Sequence, residues 1–242
     1  MHGLDRPVWE SLSTHHARLA EGSDLARRFV RDVNVFASPR DDSPQALAAL
    51  AALVRPGESV YLLQAPRIVV PPGLAAVREA KGVQMLAPPH TPFESTCDDM
   101  LPLGDADAPE MSALARLTEP GPFLARTHLM GPFLGIRIGG RLAAMAGERM
   151  RFPGYTEVSG VCTHPDFRGR GLARRLSAAV ADRIQARGEQ AFLHAWKSNH
   201  AAISLYESLG FVLRTEVNVA ELVLPDRPMA KSQIETPSRP AR

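Results

Sequence analysis

Between Gly171 and Ala186 the apolar residues Leu172, Leu176, Val180 and Ile184 recur every four positions, the spacing of a helix with one face against a core. On either side of it the period changes. "FLGIRI", "RLAAMAGERM", Glu157 to Thr163, "QAFLHAW" and "FVLRTEVNVAELV" read as strands, and further helices are expected over Ala108 to Leu117 and Asn199 to Leu209. A Gly139-Gly140 turn joins the first two strands, while helices separate the later ones. Strands joined by a tight turn in some places and by helices in others predict an α/β fold with a mixed sheet flanked by helices. Upstream, "PQALAALAALVRPG" reads as a helix closed by Pro56-Gly57, and "SVYLLQA" and "VQMLAPP" as strands. The Pro- and acid-rich passage from Pro88 to Glu110 breaks this periodicity and predicts a domain change near Thr96. The expected units are therefore 1–95 and 96–225. The tail 226–242 has little that could form a core and is expected to be disordered.

Composition narrows the functions available. The chain of 242 residues is 45% hydrophobic, enough for one large or two small cores. A net charge of +2 argues against an extended polyanion, so no nucleic-acid partner is expected. Cys97 and Cys162 are the only cysteines, too few for a disulfide framework and without paired metal spacing, which points to a reducing cytoplasm and no metal. "MHGLDRPVWE" lacks a secretory pattern, and no apolar run reaches membrane-spanning length.

One stretch carries chemistry. In "VSGVCTHPDFRGRGLARRLSAAV" a strand runs into a turn holding Arg168, Gly169, Arg170 and Gly171, and the helix follows at once. The first turn of a helix has free backbone N–H groups and the positive end of the macrodipole, and glycine lets an anion approach closely. Each charge-assisted bond contributes about 1.5 to 3 kcal/mol, so three or four hold a diphosphate without a metal. A P-loop would need Gly-Lys-Ser/Thr, and the dinucleotide fingerprint a third glycine where Arg174 stands. The alternative is a solvated basic face on a corner that needs glycine only to turn.

Arg168-x-x-Gly171-x-Ala173, with Pro165 before it and "NHAAISLYESLGF" about 25 residues later, resembles the GNAT superfamily of acyl-CoA-dependent N-acyltransferases over roughly Leu101 to Val223. The resemblance implies a GNAT-like, mostly antiparallel sheet and an acetyl-CoA-dependent N-acetyltransferase acting on a primary amine through a ternary complex. It places the diphosphate on Arg168, Gly169, Arg170, Gly171, Leu172 and Ala173, the pantetheine arm on Val161 and Thr163, and a further CoA contact on Asn199, also a plausible N-cap. It makes Tyr206 the acid that protonates the departing thiolate, against a reading as core packing. Glu157, opening the strand, is either a water-mediated base or a surface glutamate. Strict alternation along that strand puts Glu157 and Cys162 on opposite sides.

Other residues admit weaker readings. Cys162, His164, His194 and His200 invite a metal or Cys/His pair, but nothing fixes their distances; His194 reads as a partly buried strand residue or a base. Met145, Met150, Phe152 and Tyr155 line an acceptor pocket or fill the core. Residues 1–95 carry no chemical motif and read as a helper or a degenerate acyltransferase-like half that shapes acceptor entry or makes a homodimer. A catalytically silent CoA sensor is the alternative function, and a purely structural protein the third.

Overall fold

The computed structural model describes residues 2–93 and 99–225. The first helix, α1 (Pro7–Ser13), leads to a small antiparallel sheet of β1 (Ala20–Gly22), β2 (Ala26–Phe29) and β3 (Ala37–Pro39), then to α2 (Pro44–Ala52). Next come β4 (Ser59–Gln64), β5 (Ala75–Leu86), β6 (Met100–Leu103) and α3 (Ala108–Thr118). The hairpin β7 (Phe133–Ile138) and β8 (Arg141–Phe152) is followed by β9 (Tyr155–Thr163), α4 (Leu172–Ala186), β10 (Gln190–Trp196), α5 (His200–Ser208) and β11 (Val212–Val223). The expected mixed, mostly antiparallel sheet is present: eight strands in the order β4-β11-β5-β10-β9-β8-β7-β6, with β9 and β10 the one parallel pair. Among the described residues no helix is long and apolar enough to cross a membrane.

The expected division into 1–95 and 96–225 runs through this one sheet. β5 belongs to the first segment, yet it is hydrogen-bonded between β10 and β11 of the second, and β4 extends the same sheet beyond β11. The buried end of β5, with Val83, Gln84 and Met85 inaccessible, needs a strand on each side to satisfy its backbone. The prolines after it therefore mark a crossing between strands of one sheet. Thr96 itself, Cys97 and the 226–242 tail lie outside the described residues.

α4 covers one face of the sheet. Leu172, Leu176, Val180 and Ile184 are all buried against Val83, Met85, Ala144, Val158 and Leu193, each side chain contributing about 1.5 to 3 kcal/mol by leaving water. The other face is covered by the N-terminal elements, whose Leu4, Val8, Leu12 and Phe29 meet Met150, Phe152, Phe192 and Val217. Beside them α3 lays Met111, Leu114 and Ala115 on Phe133, Met145 and Cys162. Met145, Met150 and Phe152 are thus core, not pocket lining.

Candidate active site

β9 and β10 pair over only three residues, Tyr155–Glu157 against Gln190–Phe192, and then separate. Just beyond, β9 bulges at Gly160. Cys162 pairs with Met145 and Ser159 with Gly147, so β9 holds one extra residue between these rungs. Gly160 has φ +62°, and a Cβ there would lie 2.8 Å from the Phe133 ring, so glycine is required. The bulge reverses the expected alternation. Val158 and Cys162 pair with Glu148 and Met145, which lie on opposite faces of β8. Glu157, next to Val158, therefore shares a face with Cys162. Strict alternation fails because it counts the bulged residue as a normal step.

A cavity of about 230 Å³ opens in the gap. From β9 it receives Val161, from β10 His194, Ala195 and Trp196, and from α5 and its N-cap Asn199, Ala202 and Tyr206; Arg149 and the 118–122 loop close another side. Asn199 accepts a hydrogen bond from the Ala202 N–H at 3.1 Å, as its N-cap reading requires. Tyr206 is buried, and its hydroxyl has no hydrogen-bond partner among the described residues. Burial, and then the negative charge of Glu157, push its pKa up to about 12. It is a protonated phenol facing the cavity.

The turn before α4 leaves open space beside unblocked backbone donors. Gly169 and Gly171 adopt φ +77° and +71°, and a Cβ on either would meet nothing within 4 Å. Gly171 caps α4 without a side-chain hydrogen bond, so the first N–H groups are unblocked. Arg168 and Arg170 are exposed, with the Arg170 guanidinium 5.4 Å from the Phe167 ring centroid. Leu172 turns its side chain into the core and leaves only its backbone for an anion. Ala173 follows, half-buried, in the same first turn. Thr163 has a buried Oγ1 without a partner. The arrangement fits CoA.

Glu157 is neither a surface glutamate nor open to a bridging water. It is fully buried. Oε2 accepts from Arg149 Nε at 2.8 Å and from the Met150 N–H at 3.3 Å; Oε1 accepts from Arg149 Nη2 at 2.6 Å and from His194 Nδ1 at 2.7 Å. Four donors occupy the four lone-pair positions of a carboxylate. Burial raises its pKa, but the Arg149 charge and these hydrogen bonds outweigh it and hold it down at about 2. A group so weakly basic, with no free lone pair, does not collect a proton from an amine.

The remaining candidates separate. Cys162 lies in the apolar cluster under α3, where burial raises its thiol to about 11 against a hydrogen bond to Thr118. His164 accepts from the Asp166 N–H, and His200 opens α5. Among the described residues these do not gather with His194 into a metal-binding group. Two charged cavity residues have no counterpart in the sequence reading: Arg149, and Glu119, an exposed carboxylate at φ +48° on the cavity rim.

The same geometry has relatives. A family model described as FR47-like protein matches residues 133–219. An acetyltransferase of Pectobacterium atrosepticum is 30% identical over 132 residues, 54% of this chain and 84% of that one. The N-alpha-acetyltransferase RimI of Mycobacterium tuberculosis is 39% identical over 82 residues, 33% of this chain, and the match spans about half of that protein, 51%. A crystal structure from Novosphingobium aromaticivorans, described as an acetyltransferase of the GNAT family, superposes with TM-score 0.86 at 45% identity, covering 93% of this chain and all of that one. Because the likeness to that structure covers 93% of this chain, the chain as a whole belongs to the GNAT superfamily of N-acetyltransferases.

Proposed function

We propose that the protein transfers the acetyl group of acetyl-CoA to a primary amine, within the cytoplasm, by direct attack in a ternary complex. The observation that carries this reading is the joining of an unblocked glycine turn at the start of α4 to a cavity where Tyr206, a protonated phenol, faces the gap between β9 and β10. Acetyl-CoA supplies an activated thioester. The N–H groups from Gly169 to Ala173 would hold its diphosphate with Arg168 and Arg170 alongside; Val161, Thr163 and Asn199 would hold the arm that reaches into the cavity. Tyr206 would give its proton to the departing thiolate, general-acid help that contributes about 10²–10⁴-fold.

The base role expected for Glu157 is revised. Its four hydrogen bonds make it a positioning residue that fixes Arg149 and His194 in the cavity wall. Glu119, with no side-chain partner among the described residues, offers an arriving ammonium its counter-charge; the amine loses one proton to water before attack, and the second, lost from nitrogen as the C–N bond forms and the C–S bond breaks, would return through water to the Tyr206 phenolate. The rate therefore rises with pH through the amine's own titration. Release of free thiol from acetyl-CoA, measured against amino acids, polyamines and peptides with free α-amino groups, tests the reading. Amine-dependent release supports it; tight CoA binding with no release for any acceptor would make the protein a CoA sensor.

A further inference from the structure

The Glu157 cluster does not end at His194. On the far side of the ring, His194 Nε2 lies 3.0 Å from Nε2 of Gln84, a residue 0% exposed on β5 directly opposite His194 in the strand register. The Gln84 amide is itself oriented. Its Oε1 accepts from Arg214 Nη1 at 2.9 Å, and its Nε2 also donates to the Leu4 carbonyl at 2.9 Å. Arg214 in turn binds Asp5 Oδ1 at 2.6 Å. Arg214 reaches Gln84 because it is the extra residue of a bulge in β11, where Leu213 pairs with Met85 and Thr215 with Gln84.

Donors and acceptors then leave one arrangement of protons. Arg214 has only N–H groups to offer, so the amide oxygen of Gln84 must face it. The amide nitrogen therefore faces His194, and its two hydrogens go to the Leu4 carbonyl and to the ring. His194 Nε2 must be an acceptor, which puts the ring hydrogen on Nδ1, where Glu157 Oε1 receives it. The opposite tautomer would set N–H against N–H at Gln84 and a lone pair against a carboxylate at Glu157. A doubly protonated ring meets the same clash at Gln84. The charged groups around the ring already balance without it: Glu157 with Arg149 on one side and Asp5 with Arg214 on the other, with the phenol of Tyr206 neutral.

We propose that Gln84, oriented by the Arg214–Asp5 pair, is a positioning residue of the acetyltransfer site: with Glu157 on the other side of the ring it fixes His194 as the neutral Nδ1–H tautomer and so holds His194 and Arg149 in the cavity wall. Asp5, Leu4 and Gln84 come from the N-terminal segment, which thereby completes the wall across the sheet from the CoA turn. The effect on turnover rests on the acetyltransferase reading; the tautomer does not.

The test is ¹⁵N NMR of His194 at pH 7.5 in the full-length protein, with steady-state kinetics beside it. The wild type should show a protonated Nδ1 and a bare Nε2. Gln84→Glu, whose carboxylate accepts from both Arg214 and the ring, should add a second ring proton, a change that mere loss of packing does not produce. Gln84→Leu should leave the Nδ1–H that Glu157 receives but free the Nε2 side of the ring to shift, lowering kcat by about 10- to 100-fold through misplacement in the wall, with KM for acetyl-CoA changed less than about two-fold. Where Gln84→Leu does not fold, Arg214→Met removes the donor to Gln84 Oε1 while the Leu4 carbonyl still holds Nε2, and should lower kcat in the same sense by a smaller factor. A protonated Nε2 in the wild type, or a folded leucine variant with full kcat, overturns the proposal. A correct NMR pattern in a protein that transfers no acetyl group would leave the tautomer standing and refute only the reading of function.

Discussion

Replacing Glu157 with glutamine removes one charge and tests whether this residue holds the cavity wall or accepts a proton. Its carboxyl is held at about 2 against an ordinary 4.5. A depression of that size corresponds to about 3 kcal/mol of stability. Because the folded pKa lies below the unfolded one, this contribution is complete above about pH 4.5 and is lost as pH falls toward 2. The variant also leaves the Arg149 guanidinium, 11% exposed, without its counter-charge, and breaking a buried pair from one side costs about 3–5 kcal/mol. At about 2–4 °C per kcal/mol for a chain of this size, Glu157→Gln should lower Tm by about 10 °C at pH 7. Thermal denaturation at pH 7, 5 and 3 should show the gap to wild type narrowing with acid, as the native carboxylate itself becomes protonated. Turnover should fall by a similar factor at every pH where the variant is folded. A variant within about 2 °C of wild type whose lost turnover returns as pH rises would refute this reasoning and give Glu157 the role of base.

Other substitutions probe separate parts of the site. Tyr206→Phe keeps the ring that meets Phe211 at 6.0 Å and should leave Tm nearly unchanged, while kcat falls at least ten-fold; the loss should shrink for an acyl donor with a more acidic thiol, and full turnover with chemistry rate-limiting would make Tyr206 a core residue only. Gly160→Ala should destabilise the fold by about 1–3 kcal/mol, read by denaturant midpoint, because its Cβ would sit 2.8 Å from Phe133 at φ +62°; an unchanged midpoint would show that the bulge relaxes freely. Glu119→Gln should raise KM for a cationic acceptor several-fold with kcat and Tm little changed, and an unchanged KM would remove Glu119 from acceptor binding.

What was legible in the sequence was local. The four-residue apolar repeat of α4, the glycines at its mouth and the N-cap Asn199 each state their structure within a few positions, and the helix, the positive-φ turn and the cap hydrogen bond are all present. β5 was legible only in its apolar end: Val77, Arg78 and Glu79 are exposed, and no local pattern says that this strand enters the sheet between β10 and β11. Glu157 was misread because its partner belongs to another strand. Arg149 and Glu157 flank the Pro153-Gly154 turn of a hairpin, and opposite charges across a tight turn were the signal that could have found the pair. The join of Gln84 and His194, 110 positions apart, leaves no such trace, because it arises from register between strands and from a bulge at Arg214.

The central claim is that the glycine turn before α4 holds the diphosphate of CoA through its backbone. Calorimetric titration of CoA into wild type, Gly171→Glu and Arg174→Ala tests it most directly. Gly171 has open space around its Cβ position, so a glutamate there puts its carboxylate in the anion's place at a backbone geometry only glycine accepts readily, whereas Arg174 is exposed and, among the described residues, reaches Ser208. The account predicts binding to wild type, binding within about three-fold for Arg174→Ala, and at least 100-fold weaker binding for a folded Gly171→Glu. Equal CoA affinity in wild type and Gly171→Glu would contradict it.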